Sequence, residues 1–184
     1  MHKRSKKIIA GLCSLAMALP TVANLVPTMN ASAGQVLGET NFEFKALPWH
    51  TCESSPAKQD FRLEDGTFHV KVIESEGPGD GKGSEKWDLQ FRHRGLNFKA
   101  NHKYTVSFKA KAKRAGMQLC SKIGDTGEPY GEYFELDGNK GNMHMGPDMG
   151  GEWGSAAILS TDWQTFSGTF TPTKDLESVE WTFH

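Results

Sequence analysis

From Thr67 onward the chain repeats one device, a short run of alternating apolar and polar residues cut off by glycine, asparagine or aspartate. Thr67 to Ile73 follows the turn Glu64-Asp65-Gly66, and Trp87 to Arg94 follows a glycine-rich stretch. Lys103 to Lys111 follows Ala100-Asn101-His102, and Met117 to Ile123 stops at Gly124-Asp125-Thr126-Gly127. Trp163 to Thr171 alternates again, and Ser178 to His184 begins a further run. An alternation of period two puts successive side chains on opposite faces of a sheet, whereas a helix needs an apolar period near 3.6, which no long stretch here holds. Many short strands with such punctuation predict an all-β protein, an antiparallel β-sandwich of the jelly-roll kind.

The first residues follow another rule. His2 to Lys7 is basic, Ile8 to about Val26 is apolar and uncharged, and Ala31-Ser32-Ala33 supplies small residues before a cleavage point. That order predicts a secretory signal peptide over residues 1–33. Pro20 and Asn24 interrupt the apolar run, which argues against a spanning anchor of about 20 residues. The remaining residues 34–184 suit one domain. Removing Lys3, Arg4, Lys6 and Lys7 takes the 21 basic residues to 17 against 22 acids, a net charge near −5. A nucleic-acid binder would carry a basic footprint, and this region does not. Export permits Cys52 and Cys120 to pair, and a chain of this size needs no such bridge, so both states stay open. The chain stops at His184 within an alternating run, so we expect a fragment cut before its final strand, with a sheet edge left unpaired.

Catalytic motifs do not assemble. Three residues separate Gly77 from Gly81 and Gly83 follows Lys82, whereas a phosphate loop needs four residues, then Gly-Lys-Ser/Thr. The histidines are scattered without metal-ligand spacing, and Gly-x-Ser-x-Gly is absent. The 22 acids, Asp88 and Glu180 among them, single out no pair flanking a cleft. A binding surface remains. Alternation places Trp87, Leu89, Phe91 and His93 on one side of a strand and Asp88, Gln90, Arg92 and Arg94 on the other. A planar amide and two guanidinium groups, two residues apart, can each bond two adjacent hydroxyls of a sugar. Aromatic rings cover the apolar face of a pyranose. Trp163 and Trp181 sit in regular strand patterns and are assigned to the core; Trp49, Trp87 and Trp153 lie at loop–strand junctions, where ligand contacts concentrate. Leu136 to Gly154, rich in Gly, Met and Asn, reads as a long loop, either functional or disordered.

Several phrases are more specific than these patterns. Leu47-Pro48-Trp49-His50, Trp87-Asp88-Leu89-Gln90-Phe91-Arg92-His93-Arg94-Gly95-Leu96 and Lys122-Ile123-Gly124-Asp125-Thr126-Gly127-Glu128-Pro129-Tyr130 resemble carbohydrate-binding module family 4. Asn41-Phe42-Glu43 and Trp163 to Phe170 fit as well, and the nearest likeness is to modules at the N-terminus of family 9 glycoside hydrolases of cellulolytic clostridia and their relatives. The resemblance implies a galactose-binding-like jelly roll whose concave sheet forms an open cleft for one β-glucan chain: cellulose, a cello-oligosaccharide or mixed-linkage glucan. It implies that Gln90, Arg92 and Arg94 line the cleft floor, with Lys122 on a neighbouring strand, and that Tyr130 and Trp87 stack on sugars. Trp153 and Trp49 join them as candidates. It also implies a structural calcium held by Asn41, Gly66 and Glu43, with one further ligand beyond His184. The segment would be a non-catalytic targeting module of an extracellular cellulase (an endoglucanase or cellobiohydrolase), at the cell surface or in a cellulosome. An immunoglobulin-like and a catalytic domain would follow it, and it would have no nucleic-acid or membrane partner. The rival expectations are an adhesive or structural sandwich without glucan affinity, the xylan-binding module of a xylanase, and a self-contained sandwich glycanase.

Overall fold

The computed structural model describes residues 36–37, 40, 42–43, 45–75 and 85–184. The expected signal peptide, Asn41 and the Gly77–Gly83 stretch lie outside them. The described residues form twelve strands: β1 (Trp49–Glu53), β2 (Lys58–Glu64), β3 (Thr67–Glu74), β4 (Leu89–Phe98), β5 (Tyr104–Ala110), β6 (Met117–Leu119), β7 (Ser121–Gly124), β8 (Glu132–Asp137), β9 (Asn142–Met145), β10 (Ala157–Leu159), β11 (Gln164–Phe170) and β12 (Leu176–Phe183). Six of them make one antiparallel sheet in the order β1-β4-β12-β7-β8-β9. Three antiparallel pairs, β2–β3, β5–β11 and β6–β10, supply the rest. No helix of the described residues is long and apolar enough to cross a membrane.

The alternating pattern explains how these layers meet. From β4, Phe91 and His93 point inward beside Trp49 of β1 and Trp181 and Phe183 of β12. Trp49 stacks on Phe91 at 4.7 Å between ring centroids and meets the His93 ring edge-on at 5.2 Å. Phe108 of β5 closes over them at 4.8 Å from Phe183, and Phe170 of β11 lies 4.5 Å from Phe134 of β8. Phe68 of the β2–β3 hairpin packs 4.2 Å from Phe91. Offset and edge-on rings at such spacing add about 0.5–1.5 kcal/mol per pair to the area they bury. The Trp181 indole finds a buried acceptor, the Ser121 hydroxyl, at 2.8 Å. The hairpin turns on Asp65 and Gly66, both at positive φ (51° and 70°), a two-residue turn whose twist matches that of the flanking strands.

Several expectations change here. Met117 to Ile123 is not one strand: it breaks at Cys120, with β6 pairing to β10 and β7 entering the large sheet. Leu136 to Gly154 is not simply a loop, because it holds the end of β8 and the edge strand β9. Lys86–Asp88 is a single 3-10 turn, so alternation begins at Leu89: Asp88 is buried and Trp87 exposed. Trp163 precedes β11 and is 49% exposed, not in the core. β12 is an interior strand of the large sheet, with β4 and β7 as partners. Cys52 and Cys120 are free thiols. Cys52 lies on β1 and Cys120 pairs with His184 at the end of β12, with β4 between. Each strand step is about 4.8 Å, which puts the two well beyond disulfide reach.

Candidate carbohydrate-binding face

The outer face of the large sheet carries the polar half of the alternation. Reading across it by register, His50, Arg92, Thr182, Lys122, Glu135 and His144 stand side by side on six consecutive strands. Gln90 and Arg94 flank Arg92 along β4, and Glu180 precedes Thr182 by two along β12. The sequence thus brought Gln90, Arg92, Arg94 and Lys122 to one face, with β12 between the arginines and the lysine.

These side chains are tied rather than loose. Arg92 donates from Nε to His50 Nε2 at 3.2 Å and from Nη1 to Gln90 Oε1 at 3.1 Å. Burial, then the charges of Arg92 and Arg94, hold the His50 ring below its ordinary pKa despite its backbone bond to Pro48, so it stays neutral and accepts. The Gln90 amide donates to the Trp87 carbonyl at 2.7 Å. The clamp on both arginines is Glu180. Its Oε2 accepts Arg94 Nε at 3.1 Å and lies 3.7 Å from Arg92 Nη1, while its Oε1 accepts the Thr182 hydroxyl at 2.9 Å. Arg94 also reaches the Thr126 carbonyl at 3.4 Å, in the loop that carries Tyr130. On β7, Lys122 Nζ donates to Glu132 Oε1 at 2.7 Å. A guanidinium has five N–H groups and an ammonium three, so donors remain to face a ligand.

Three aromatic side chains rise from loops around this floor. Trp87 is 50% exposed on the 3-10 turn before β4, Tyr130 is 61% exposed after β7, and Trp153 is 67% exposed after β9. Lys86 Nζ sits 5.8 Å from the Trp153 ring centroid. Beside Trp153 an open depression of about 450 Å³ is lined by Asp137, Lys140, His144, Met145, Gly151 and Glu152. Trp49 is the correction. It is 0% exposed, on the inner face of β1 opposite His93, and its neighbour His50 is the one that faces the floor. It reaches no ligand.

Two of the expected calcium ligands, Gly66 and Glu43, lie among the described residues. Gly66 lies in the β2–β3 turn, Glu43 is exposed with contacts of its own, and Asn41 is outside the description. Among the described residues, no group of three or more His, Cys, Asp or Glu side chains converges. Glu180, Glu132 and Glu135 are the functional neighbours that alternation could not single out from 22 acids.

Comparison with known proteins bears on this face. A family model described as "Carbohydrate binding domain" matches residues 34–184. Over 145 residues, 75% of the chain, it is 35% identical to a cellulose 1,4-beta-cellobiosidase of Acetivibrio thermocellus. The chain spans only 14% of that relative's length. A solved structure described as "CBM4 structure and function" superposes with a TM-score of 0.60 at 22% identity, covering 79% of this chain and 85% of that one, which shows the shared sandwich fold.

Proposed function

The chain belongs to carbohydrate-binding module family 4, and from that premise we propose that its six-stranded face binds a single β-1,4-linked or mixed-linkage glucan chain laid across the strands. A polysaccharide-binding role follows from the family. The observation that carries the finer reading is the clamped row of Gln90, Arg92, Arg94 and Lys122 within a ring of the exposed Trp87, Tyr130 and Trp153. Fixed donors meet hydroxyls in set directions without being ordered anew on binding. The rings cover the C–H faces of successive sugars. No bond is broken in this reading. The module, exported outside the cell, would hold an attached glycoside hydrolase on its polysaccharide and raise its effective concentration there.

Affinity electrophoresis tests it, with gels containing hydroxyethylcellulose, barley β-glucan, xylan or no polysaccharide. The wild type is expected to be retarded on the β-glucans, and Arg92→Ala and Trp87→Ala to be retarded less. Retardation on xylan alone would move the ligand to xylan. Free migration of the folded wild type on every gel would overturn the reading and favour a structural sandwich.

A further inference from the structure

We propose that Glu135 is a positioning residue for this face: wedged between the Glu132–Lys122 ion pair and the glycine stretch that carries Trp153, its carboxyl sets where both Lys122 and Trp153 stand. The proposal rests on the glucan-binding reading above for its consequence, but not for its geometry. Glu135 is 2% exposed on the outer face of β8, opposite Lys122 of β7 and His144 of β9. What buries it is backbone. A Cβ at Gly154 would fall 2.7 Å from Glu135 Cβ and 2.8 Å from its Oε2, and one at Gly146 would fall 3.2 Å from its Cγ. Only glycine lets the chain pass so close. The stretch is pinned to β8 on both sides, by Gly146 N–H to the Tyr133 carbonyl at 2.8 Å and Ser155 N–H to the Leu136 carbonyl at 3.0 Å. Trp153 is the residue before Gly154, so the lid on Glu135 and the exposed indole are one piece of chain.

The carboxyl beneath that lid is not free to ionise. Glu135 and Glu132 are buried carboxyl neighbours, each bearing on the other's proton, and two buried carboxyl groups side by side resist ionising together. Glu132 Oε2 and Glu135 Oε1 are buried with no hydrogen-bond partner. The charged and titratable groups around Glu135 are Glu132 on its own strand, Lys122 and the Cys120 thiol from the β7 side, His144 on β9, Lys86 on the 3-10 turn before β4, and Asp148, whose carboxylate accepts the Glu132 N–H at 2.7 Å. Burial, then the bond and charge of Glu132, push Glu135 up to about 8, against the pull of Lys86 and Lys122. Burial also pushes Glu132 upward, but its bonds from Glu135 and Lys122 outweigh that and hold it low. The pair therefore keeps one proton at neutral pH and loses it in mild alkali. A second buried carboxylate must then reach water, and the route outward passes through Gly154.

Two readouts test this on the whole chain, cellohexaose being the probe. Calorimetric affinity should fall about fivefold or more between pH of about 6.5 and about 9.5 in the wild type. Glu135→Ala should bind weakly at both. Glu135→Gln, which keeps the donor and cannot ionise, should restore binding and flatten the profile. The second readout needs no ligand: the Trp153 indole N–H resonance should shift with a midpoint near that of the pair, and should stay still in Glu135→Gln. An alkaline fall and a moving indole that persist in Glu135→Gln would overturn the proposal, as would a flat wild-type profile with a still indole. A wild type that binds no glucan at any pH while its indole titrates would instead overturn the glucan reading and leave the positioning role standing.

Discussion

Replacing Glu180 with Gln isolates the charge that holds the two floor arginines. The exchange keeps side-chain volume and an acceptor for the arginines, and the amide nitrogen can donate to the Thr182 hydroxyl, so shape and bond count survive. What goes is ionisation. A hydrogen bond to a charged partner contributes roughly 1.5–3 kcal/mol, against about 1 kcal/mol for a neutral pair. The Arg94 side chain is 44% exposed and rehydrates easily, which discounts its share, whereas Arg92 at 14% and Glu180 at 6% are well screened from water. The expected loss of folding stability is therefore about 1–2 kcal/mol. Binding should also fall, because guanidinium groups held less firmly by a neutral partner must be ordered further by the ligand, at up to roughly 0.5–1.5 kcal/mol per side chain. Two arginines give a drop in cellohexaose affinity of roughly fivefold to somewhat over a hundredfold, centred near thirtyfold. Calorimetric titration and urea unfolding of the same two proteins measure both. Lower stability with unchanged affinity would show that the arginines do not meet the ligand. Unchanged stability would show that the ion pairs contribute nothing and that the worked magnitude is wrong.

Trp49→Ala should lose about 3–5 kcal/mol of stability in urea unfolding, since it empties the centre of the aromatic core, while Trp163→Ala should change neither stability nor glucan affinity measurably. A reductant should leave the thermal midpoint of the wild type unmoved, because Cys52 and Cys120 are thiols; a fall on reduction would contradict their placement. The Tyr133 phenol, part-buried and donating to Asp125 Oδ1 at 2.8 Å, is pushed up to about 12, so absorbance titration should find a tyrosine ionising near that pH. Its folded pKa lies above the ordinary value of 10.0, so the stability it contributes is complete below pH 10 and lost as pH rises through about 12; Tyr133→Phe should flatten that alkaline loss. Affinity for neutral glucans should be nearly unchanged between low and moderate salt, and a steep fall would point to a polyanion instead.

Much of the candidate face is legible in the sequence because its strand β4 alternates cleanly. From Leu89 to Arg94 the inner and outer residues follow parity, and parity alone placed Gln90, Arg92 and Arg94 together. The same rule, applied with care, would have corrected Trp163. Phe166 and Phe170 fix the inner parity of β11 as even, and 163 is odd. It also separates Trp49 from His50, once β1 is recognised as a strand at all. β1 went unread because Pro48 and Thr51-Cys52-Glu53 look like a loop. β8 and β9 were hidden for a different reason. Glu132 and Glu135 are buried acids, and Gly138, Gly141 and Gly146 interrupt the run, so neither a pure apolar stretch nor an alternation appears. Residues buried to hold other polar residues carry no hydrophobic signal. The roles of Glu180, Glu132 and Glu135 become visible only when strands distant in sequence are laid side by side.

The placement of β12 has a consequence for how the molecule comes into being. It is the latest of the described strands in sequence, yet it fills the gap between β4 and β7. Arg94 and Glu180 are 86 residues apart along the chain and face each other only once it is in place. Until then the sheet is two fragments, β1 with β4 and β7 with β8 and β9, with bare strand edges turned toward each other. Closing loops of that length is slow, and open edges invite pairing with other molecules. During synthesis the module would therefore keep these strand edges open until β12 has emerged, and the face built from β4, β12 and β7 would be complete only at that closure. A mutation that slowed β12 would be felt in yield before it was felt in affinity.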